Sequence, residues 1–196
     1  MVLKIVNVCL KMTILLLAAT LCFSCAKKSY IDVDYRLPAT ADTLTGRTVF
    51  VESRDLRNNT EIFNKRAKEK FEHFTGLFSL SLVMPDDQAK VLGAYTLPKL
   101  FETALTQRLK KLGAGVSAAP SQSVPVFQIN INQFHIKLVG QKWNADISYA
   151  VSLAQDTKLV AREAVSGSAE RLKVMGRGGA EKVIGEILSL IHISEP

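Results

Sequence analysis

One cysteine near the start of the chain stands in a setting that points to a specific chemical modification. A stretch with two lysines precedes an apolar run over residues 13–21, and a small residue, Ser24, comes directly before Cys25. This order of segments is typical of a secretory signal peptide. The run is too short for a membrane-spanning helix, which needs about 20 apolar residues. We therefore predict a signal peptide over residues 1–24.

The cysteine after the small residue resembles a bacterial lipobox, in which the cysteine is acylated and becomes the first mature residue. A lipobox usually has leucine three positions before the cysteine, where this chain has Cys22. Taking Cys22 as the acceptor would instead put bulky Leu21 at the cleavage site. We predict lipidation at Cys25. The alternatives are an ordinary signal peptide cut nearby and an uncleaved anchor.

The cysteine count restricts the chemistry of the folded part. All three cysteines lie within the first 25 residues. If Cys25 is lipidated, the mature domain has no disulfide, no thiolate metal site and no cysteine nucleophile.

The remaining residue types predict neither a metal site nor an active site. The histidines, His73, His135 and His192, are far apart, and no pair has the spacing of metal ligands. Asp32 and Asp34 share one face of an extended segment, where we expect a polar edge. The glycines of residues 176–179 lack the lysine of a phosphate-binding loop. We expect a protein that is not an enzyme and that has no cofactor.

The charge fits a membrane surface. The net charge is +7, and removal of residues 1–24, with two lysines and no acids, lowers it to +5. This value is suited to anionic lipid and too small to indicate nucleic acid. Ala26, rather than aspartate, follows Cys25. We expect a lipid-anchored envelope protein, on the periplasmic face of the outer membrane, held through its N-terminal acyl chains.

The helices and strands that would position any functional site can be predicted from the spacing of their apolar residues. Alternating or β-rich runs predict strands over residues 48–53 and 77–83, and a short edge strand or extended segment over 30–37. Residues 61–74 indicate a short helix or an ordered loop, with its phenylalanines turned inward or, alternatively, a basic patch on lipid. Residues 96–112 form an amphipathic helix in which Thr96 can act as the N-cap.

The second half of the chain predicts a three-stranded antiparallel meander. Apolar residues change parity within 126–139, which indicates a β-bulge near Asn132 and Gln133. The next strand alternates cleanly and leaves Asn144, Asp146, Ser148 and Ser152 on the opposite face. An apolar stripe over 178–191 predicts a last helix. Residues 188–196 resemble translated sequencing-adapter DNA, and this stretch overlaps that helix.

These patterns together predict the α+β class. We expect an antiparallel sheet with two main helices packed on one face, in a single domain over residues 47–191. Residues 25–46 would supply the lipidated cysteine, a tether and the short edge segment.

Several stretches together resemble the YajG family of bacterial lipoproteins. They include residues 30–37, the helix over 97–113, the strand over 126–138 and the run Val51-Glu-Ser-Arg-Asp-Leu-Arg57, which is similar to that family's strand followed by Asp-x-Arg. The resemblance implies an envelope lipoprotein with an α+β domain and no assigned activity. The order of elements also resembles the auxiliary lipoproteins of MCE-type ABC lipid-transport systems.

Three functions follow as hypotheses. The first is a non-catalytic binding or assembly role with an envelope protein as partner. The second is an auxiliary role in ABC-type transport of lipid or solvent, which would require an apolar groove. The third is an unrecognised periplasmic enzyme, which would require a concave site with converging titratable groups.

Overall fold

A computed structural model describes residues 28–37, 39–84, 88–156, 158–173 and 178–189. In these ranges the chain forms strands and helices in the order β1 (Tyr30–Arg36), β2 (Thr48–Asp55), α1 (Lys65–Lys70), β3 (Leu77–Val83), β4 (Ala89–Tyr95), α2 (Leu97–Lys111), β5 (Gly115–Val116), β6 (Val126–Val139), β7 (Lys142–Gln155), β8 (Lys158–Leu172) and α3 (Gly178–Ser189). The α+β class is confirmed.

The strands form two sheets. The smaller sheet has the order β1-β3-β4, and the larger has the order β5-β2-β6-β7-β8. Both are mixed, because β1 is parallel to β3 and β2 is parallel to β5 and β6. The expected single antiparallel sheet is therefore wrong. Alternation along a strand shows which face is buried, but it does not show the direction of a partner distant in sequence.

The meander of β6, β7 and β8 is antiparallel, as predicted. The register between β6 and β7 shifts between Ile131 and Gln133, which confirms the β-bulge. The extra residue allows Ile131 and Phe134 to face the same core although their parity differs.

One face of the larger sheet carries the core. Its buried side chains on β6 and β7 include Ile129, Ile131, Phe134, Ile136, Trp143, Ile147 and Tyr149. The ring centroid of Phe101 in α2 lies 5.9 Å from that of Tyr149, and Phe78 of β3 lies 5.9 Å from Phe134. The smaller sheet and α2 therefore cover this face together.

Helix α2 has the predicted apolar stripe, with Leu97, Leu100, Phe101, Ala104, Leu105 and Leu109 buried. Thr96 occupies the N-cap position with extended backbone, but its side chain makes no capping hydrogen bond, so the predicted cap is wrong in that respect. At the other end, the amide of Leu112 donates to the carbonyl of Arg108 over 3.1 Å, and Gly113 has φ +86°. A left-handed glycine at this place ends the helix without steric cost.

Helix α1 is held to β6 by its cap. The Oδ1 atom of Asn64 accepts from the amides of Ala67 at 3.0 Å and Leu138 at 3.1 Å. The ring of Phe71 is buried and stacks on Phe63 at a centroid distance of 4.9 Å. The aromatic residues of this segment thus pack inward, which confirms the first of the two alternatives predicted for residues 61–74.

Helix α3 lies on the same face of β7 as α2. A Cβ atom on Gly179 would lie 2.7 Å from Cδ1 of Trp143, which has the same parity on β7 as Tyr149. The packing of both helices on one face is therefore confirmed. A Cβ atom on Gly185 would lie 2.3 Å from the carbonyl oxygen of Asp34, so the helix backbone rests directly on β1.

Strand β1 belongs to the core, although we expected its segment to precede the domain. Ile31, Val33 and Tyr35 are buried. Just before the strand, the carbonyl of Ser29 accepts from the amide of Thr75 at 2.9 Å and from its hydroxyl at 3.0 Å. The chain is therefore fastened to the domain from Ser29 onward.

Among the described residues, no helix is both long enough and apolar enough to cross a lipid bilayer.

Candidate functional site

The predicted lipidation residue, Cys25, lies outside the described residues, as do the signal peptide over 1–24, His192 and the end of the adapter-like stretch.

The two described histidines are not brought together with other ligands. His73 contacts its neighbour Glu72 at 2.9 Å, and His135 lies half-buried on the outer face of β6 beside Gln133. Asp32 forms an ion pair with Lys28. In the described part of the chain, no group of three or more His, Cys, Asp or Glu residues is arranged to hold a metal ion.

The outer face of the larger sheet is polar and pairs its charges internally. Lys137 donates to Asp146 over 2.7 Å, and Lys142 donates to Glu170 over 2.6 Å. The predicted polar residues of β7, Asn144, Asp146, Ser148 and Ser152, all lie here and are half-buried. Because these charges pair with one another on the same face, little net charge remains there to attract a charged partner.

The first half of β8 has a different surface. We call Lys158–Ala164 the β8 edge, because β8 is the last strand of its sheet and pairs only with β7 among the described strands. Its residues are exposed on both faces, including Leu159 at 62% and Val160 at 60%. An edge strand presents unpaired main-chain N–H and C=O groups, which form a template for another strand.

A groove adjoins the β8 edge at the same end of the sheet. Its volume is about 770 Å³, and it is lined by Pro120, Ser121, Gln122, Val124, Val126, Ala154 and Asp156. Ala154 pairs with Leu159, which makes the groove continuous with the edge. We call it the 120–126 groove. The sequence did not predict this groove, because a groove between a loop and strand ends leaves no periodic pattern.

The side chains of Asp55 and Arg57 form an ion pair with two hydrogen bonds at the end of β2. Arg57 donates from Nε to Oδ1 of Asp55 over 2.8 Å and from Nη2 to Oδ2 over 2.8 Å. The hydrogen bond from the Arg57 side chain holds the pKa of Asp55 below its ordinary value, although partial burial opposes this shift. The carboxylate is therefore ionised at neutral pH.

Two buried polar groups of the core were not predicted. Arg108 of α2 is only 7% exposed, and its Nε and Nη1 atoms have no hydrogen-bond partner among the described residues. Burial raises the pKa of Tyr35 to about 12, while the charge of Arg108 opposes the shift. Arg108 lies three residues after Leu105, so helical spacing alone assigns it to the buried stripe.

No family model and no curated protein matches the chain. Among solved structures, it is similar to a Xanthomonas campestris protein described by the family model DUF330, with 12% identity, a TM-score of 0.49, and coverage of 81% of this chain and 90% of that chain. It is also similar to a neuraminyllactose-binding hemagglutinin homolog from Helicobacter pylori, with 8% identity, a TM-score of 0.42, and coverage of 79% and 82%. A PelC dodecamer from Paraburkholderia phytofirmans gives 15% identity, a TM-score of 0.36, and coverage of 79% and 93%. These likenesses concern the course of the backbone and not the residues of a site.

Proposed function

We propose that the chain is a lipid-anchored envelope protein of the YajG-like kind, whose domain acts by binding another envelope protein and not by catalysis. The observation that supports binding is the β8 edge, which is exposed on both faces and has no neighbour on its outer side among the described strands. The order of segments before Cys25 supports the anchor.

Binding at the β8 edge would occur by strand addition. Seven residues of extended chain span about 24 Å. An extended partner segment would pair with the main chain there, and the exposed side chains of Leu159 and Val160 would contact apolar side chains of that segment. An acidic side chain of the partner opposite Arg162 would fit the charge of the edge. The partner is thus a protein with an exposed, alternating apolar segment.

Site-specific crosslinking tests strand addition. A photo-crosslinking residue at Leu159, in the full chain in its native membrane, should give one discrete crosslinked protein. The same residue at Val139, which is 57% exposed at the far end of β6, should not. Val160→Lys should abolish the product, because a charge on an exposed edge opposes pairing, while Val139→Lys should not.

Because Val139 and Val160 are both exposed, replacing either one with lysine should change the free energy of unfolding by less than about 0.5 kcal/mol. Equal crosslinking from positions 159 and 139, or a product insensitive to Val160→Lys, would contradict strand addition.

The anchor has its own test. Cys25→Ser should abolish incorporation of labelled acyl chains and move the protein from the membrane fraction to the soluble periplasmic fraction. Stable anchoring requires more than one acyl chain, so partial acylation should give partial release. A membrane-bound, unlabelled protein with and without Cys25 would refute lipidation.

A second candidate function rests on the 120–126 groove, whose lining includes Val124 and Val126. As an auxiliary lipoprotein of lipid transport, the chain would hold an acyl chain there. Mass spectrometry of the purified full chain should then detect phospholipid, and Val124→Asp should remove it. Phospholipid retained equally by both proteins would be detergent carry-over and would eliminate this candidate.

A further inference from the structure

The end of the larger sheet at which β8 stops exposes apolar side chains on either side of a lysine. Val139 pairs with Lys142 across β6 and β7, and Lys142 pairs with Leu172 across β7 and β8. Directly paired residues of antiparallel strands point to the same face, so the three side chains form one row. Val139 is 57% exposed and Leu172 is 65% exposed. We call these three residues the sheet-end row.

A recess of about 750 Å³ opens beside the sheet-end row. It is lined by Lys142, Glu170, Arg171, Leu172, Gly178, Gly179 and Lys182. Lys142 donates to Glu170 over 2.6 Å. Arg171 pairs with Glu186. Lys182 and the nearby Lys173 form no ion pair with a described residue. Two lysine charges therefore remain for an anionic partner outside the protein.

The chain that leads to Cys25 contacts α3 beside this recess. The Nζ atom of Lys28 lies 4.0 Å from Oε1 of Glu181, in the first turn of α3. Two residues earlier in that turn, a Cβ atom on Gly179 would lie 3.2 Å from the carbonyl oxygen of Leu172. Lys28 is the third residue after Cys25, so the two are at most about 11 Å apart. An acyl group on Cys25 would therefore hold the recess close to the bilayer.

The surface of a bilayer that contains anionic phospholipid matches these features. Its negative charge attracts lysine side chains that lie within a Debye length of the surface. A lysine side chain can place its amino group among the phosphates while its hydrocarbon stem lies along apolar groups. Leu172 and Val139 would lose contact with water where headgroups meet acyl chains, which is favourable for apolar side chains. A bilayer thus suits both the cationic and the apolar parts of this surface.

We propose that the sheet-end row and the recess beside it dock the domain on a bilayer of anionic phospholipid. Lys182 and Lys173 lie at the phosphate groups, and Leu172 and Val139 enter the headgroup region. The proposal rests on the anchor of the proposed function, which brings the bilayer to this end of the sheet. It does not use the β8 edge, because Val160 lies about 40 Å along the strand from Leu172.

Quenching by lipid tests the docking in the mature chain, residues 25–196. Cys25 is its only cysteine, so the thiol can be coupled to a maleimide-bearing phospholipid in vesicles. A tryptophan replaces either Leu172 or Val160, and Trp143 gives the same background in both variants. Brominated acyl chains quench tryptophan only at close range. In vesicles of phosphatidylglycerol and brominated phosphatidylcholine, Leu172→Trp should be quenched at least about twofold more than Val160→Trp.

Charge variants assign the docking to the anionic lipid. Lys182→Glu should remove most of the excess quenching at position 172, and so should vesicles of phosphatidylcholine alone or about 0.5 M salt. Lys110→Glu is the matched control, because it makes the same change in charge and should leave the quenching unchanged. Lys110 is exposed at the end of α2 that leads into β5, and β5 pairs with the start of β2, far from Leu172.

Three results would each overturn the proposal. They are equal quenching at positions 172 and 160, equal quenching in neutral and anionic vesicles, and quenching unaffected by Lys182→Glu. Val139→Trp, at the other end of the sheet-end row, should show the same excess and keeps the proposal testable if Leu172→Trp does not fold.

The coupling also separates a failure of docking from a failure of the anchor, because it fixes position 25 to lipid whether or not the cell acylates Cys25. Excess quenching at position 172, together with no acyl labelling in cells, would retain the docking surface and remove the anchor. Acyl labelling without excess quenching would retain the anchor and overturn the docking.

Discussion

Arg108 is a buried charge on a helix face that is otherwise apolar. Its Nε and Nη1 atoms have no partner among the described residues, so the guanidinium loses hydration without full compensation. We expect Arg108→Met to raise the free energy of unfolding by about 1–3 kcal/mol. Urea denaturation measures this change. Lys110→Met, on the exposed face of α2, should alter it by less than about 0.5 kcal/mol. A less stable Arg108→Met protein would show that the guanidinium contributes favourable contacts.

Asp55 gives stability a defined dependence on pH. Because its folded pKa lies below the ordinary value, its contribution is complete above the unfolded pKa of about 3.9 and is lost as pH falls through the folded pKa. The difference in unfolding free energy between the native chain and Asp55→Asn should therefore be large at pH 6 and shrink towards pH 2. Urea midpoints across this range measure it. A difference for Asp55→Asn that stays constant between pH 6 and pH 2 would contradict the pairing with Arg57.

For individual residues, the sequence predicts burial better than it predicts hydrogen bonding. The stripe of α2 was predicted, but the burial of Arg108 on the same face was not, because its charge argued for exposure. Asp55 and Arg57 were recognisable as a motif. The burial of the Arg57 side chain was not, because the residues around it, among them Phe74 and Thr96, come from distant parts of the chain.

Among the elements, α3 depends on a glycine for its contact with β1. A Cβ atom on Gly185 would meet the backbone oxygen of Asp34, which cannot rotate away. We expect Gly185→Ala to lower the free energy of unfolding by about 1–3 kcal/mol, as overpacking does in other cores. In Gly178→Ala the new methyl group meets open space, so stability should stay unchanged or rise by up to about 1 kcal/mol. Equal effects of the two substitutions in chemical denaturation would contradict close packing of α3.

Strands could be predicted where their buried and exposed residues alternate regularly. Strands β6 and β7 have one strictly buried face each, so their bounds, their pairing and the bulge could be predicted. Strand β4 was missed, because Val91 is exposed and Gly93 contributes no side chain. The parallel partners of β1 and β2 could not be predicted, since long connections separate them in sequence.

The described domain should unfold as one unit, because a single core joins both sheets and the three described helices. Trp143 is the only tryptophan and is fully buried, with its ring 5.7 Å from that of Phe71. Its fluorescence and the far-ultraviolet circular dichroism should therefore give coincident urea midpoints. An earlier fluorescence transition would show that the region around Trp143 unfolds independently of the sheets.

With Cys25 acylated, as we propose, the hydrogen bonds between Ser29 and Thr75 would also limit how far the domain can lie from the bilayer. Three residues lie between Cys25 and Ser29, so the two are at most about 14 Å apart. Thr75 and the adjacent Gly76 would then stay near the lipid headgroups.

Followed across β7 and β6, the β8 edge runs alongside β2, with Leu159 level with Phe50 and Ala164 level with Arg54. With Cys25 acylated, as we propose, the short tether would keep the β8 edge within one domain's diameter of the membrane, so its partner would have to reach that layer.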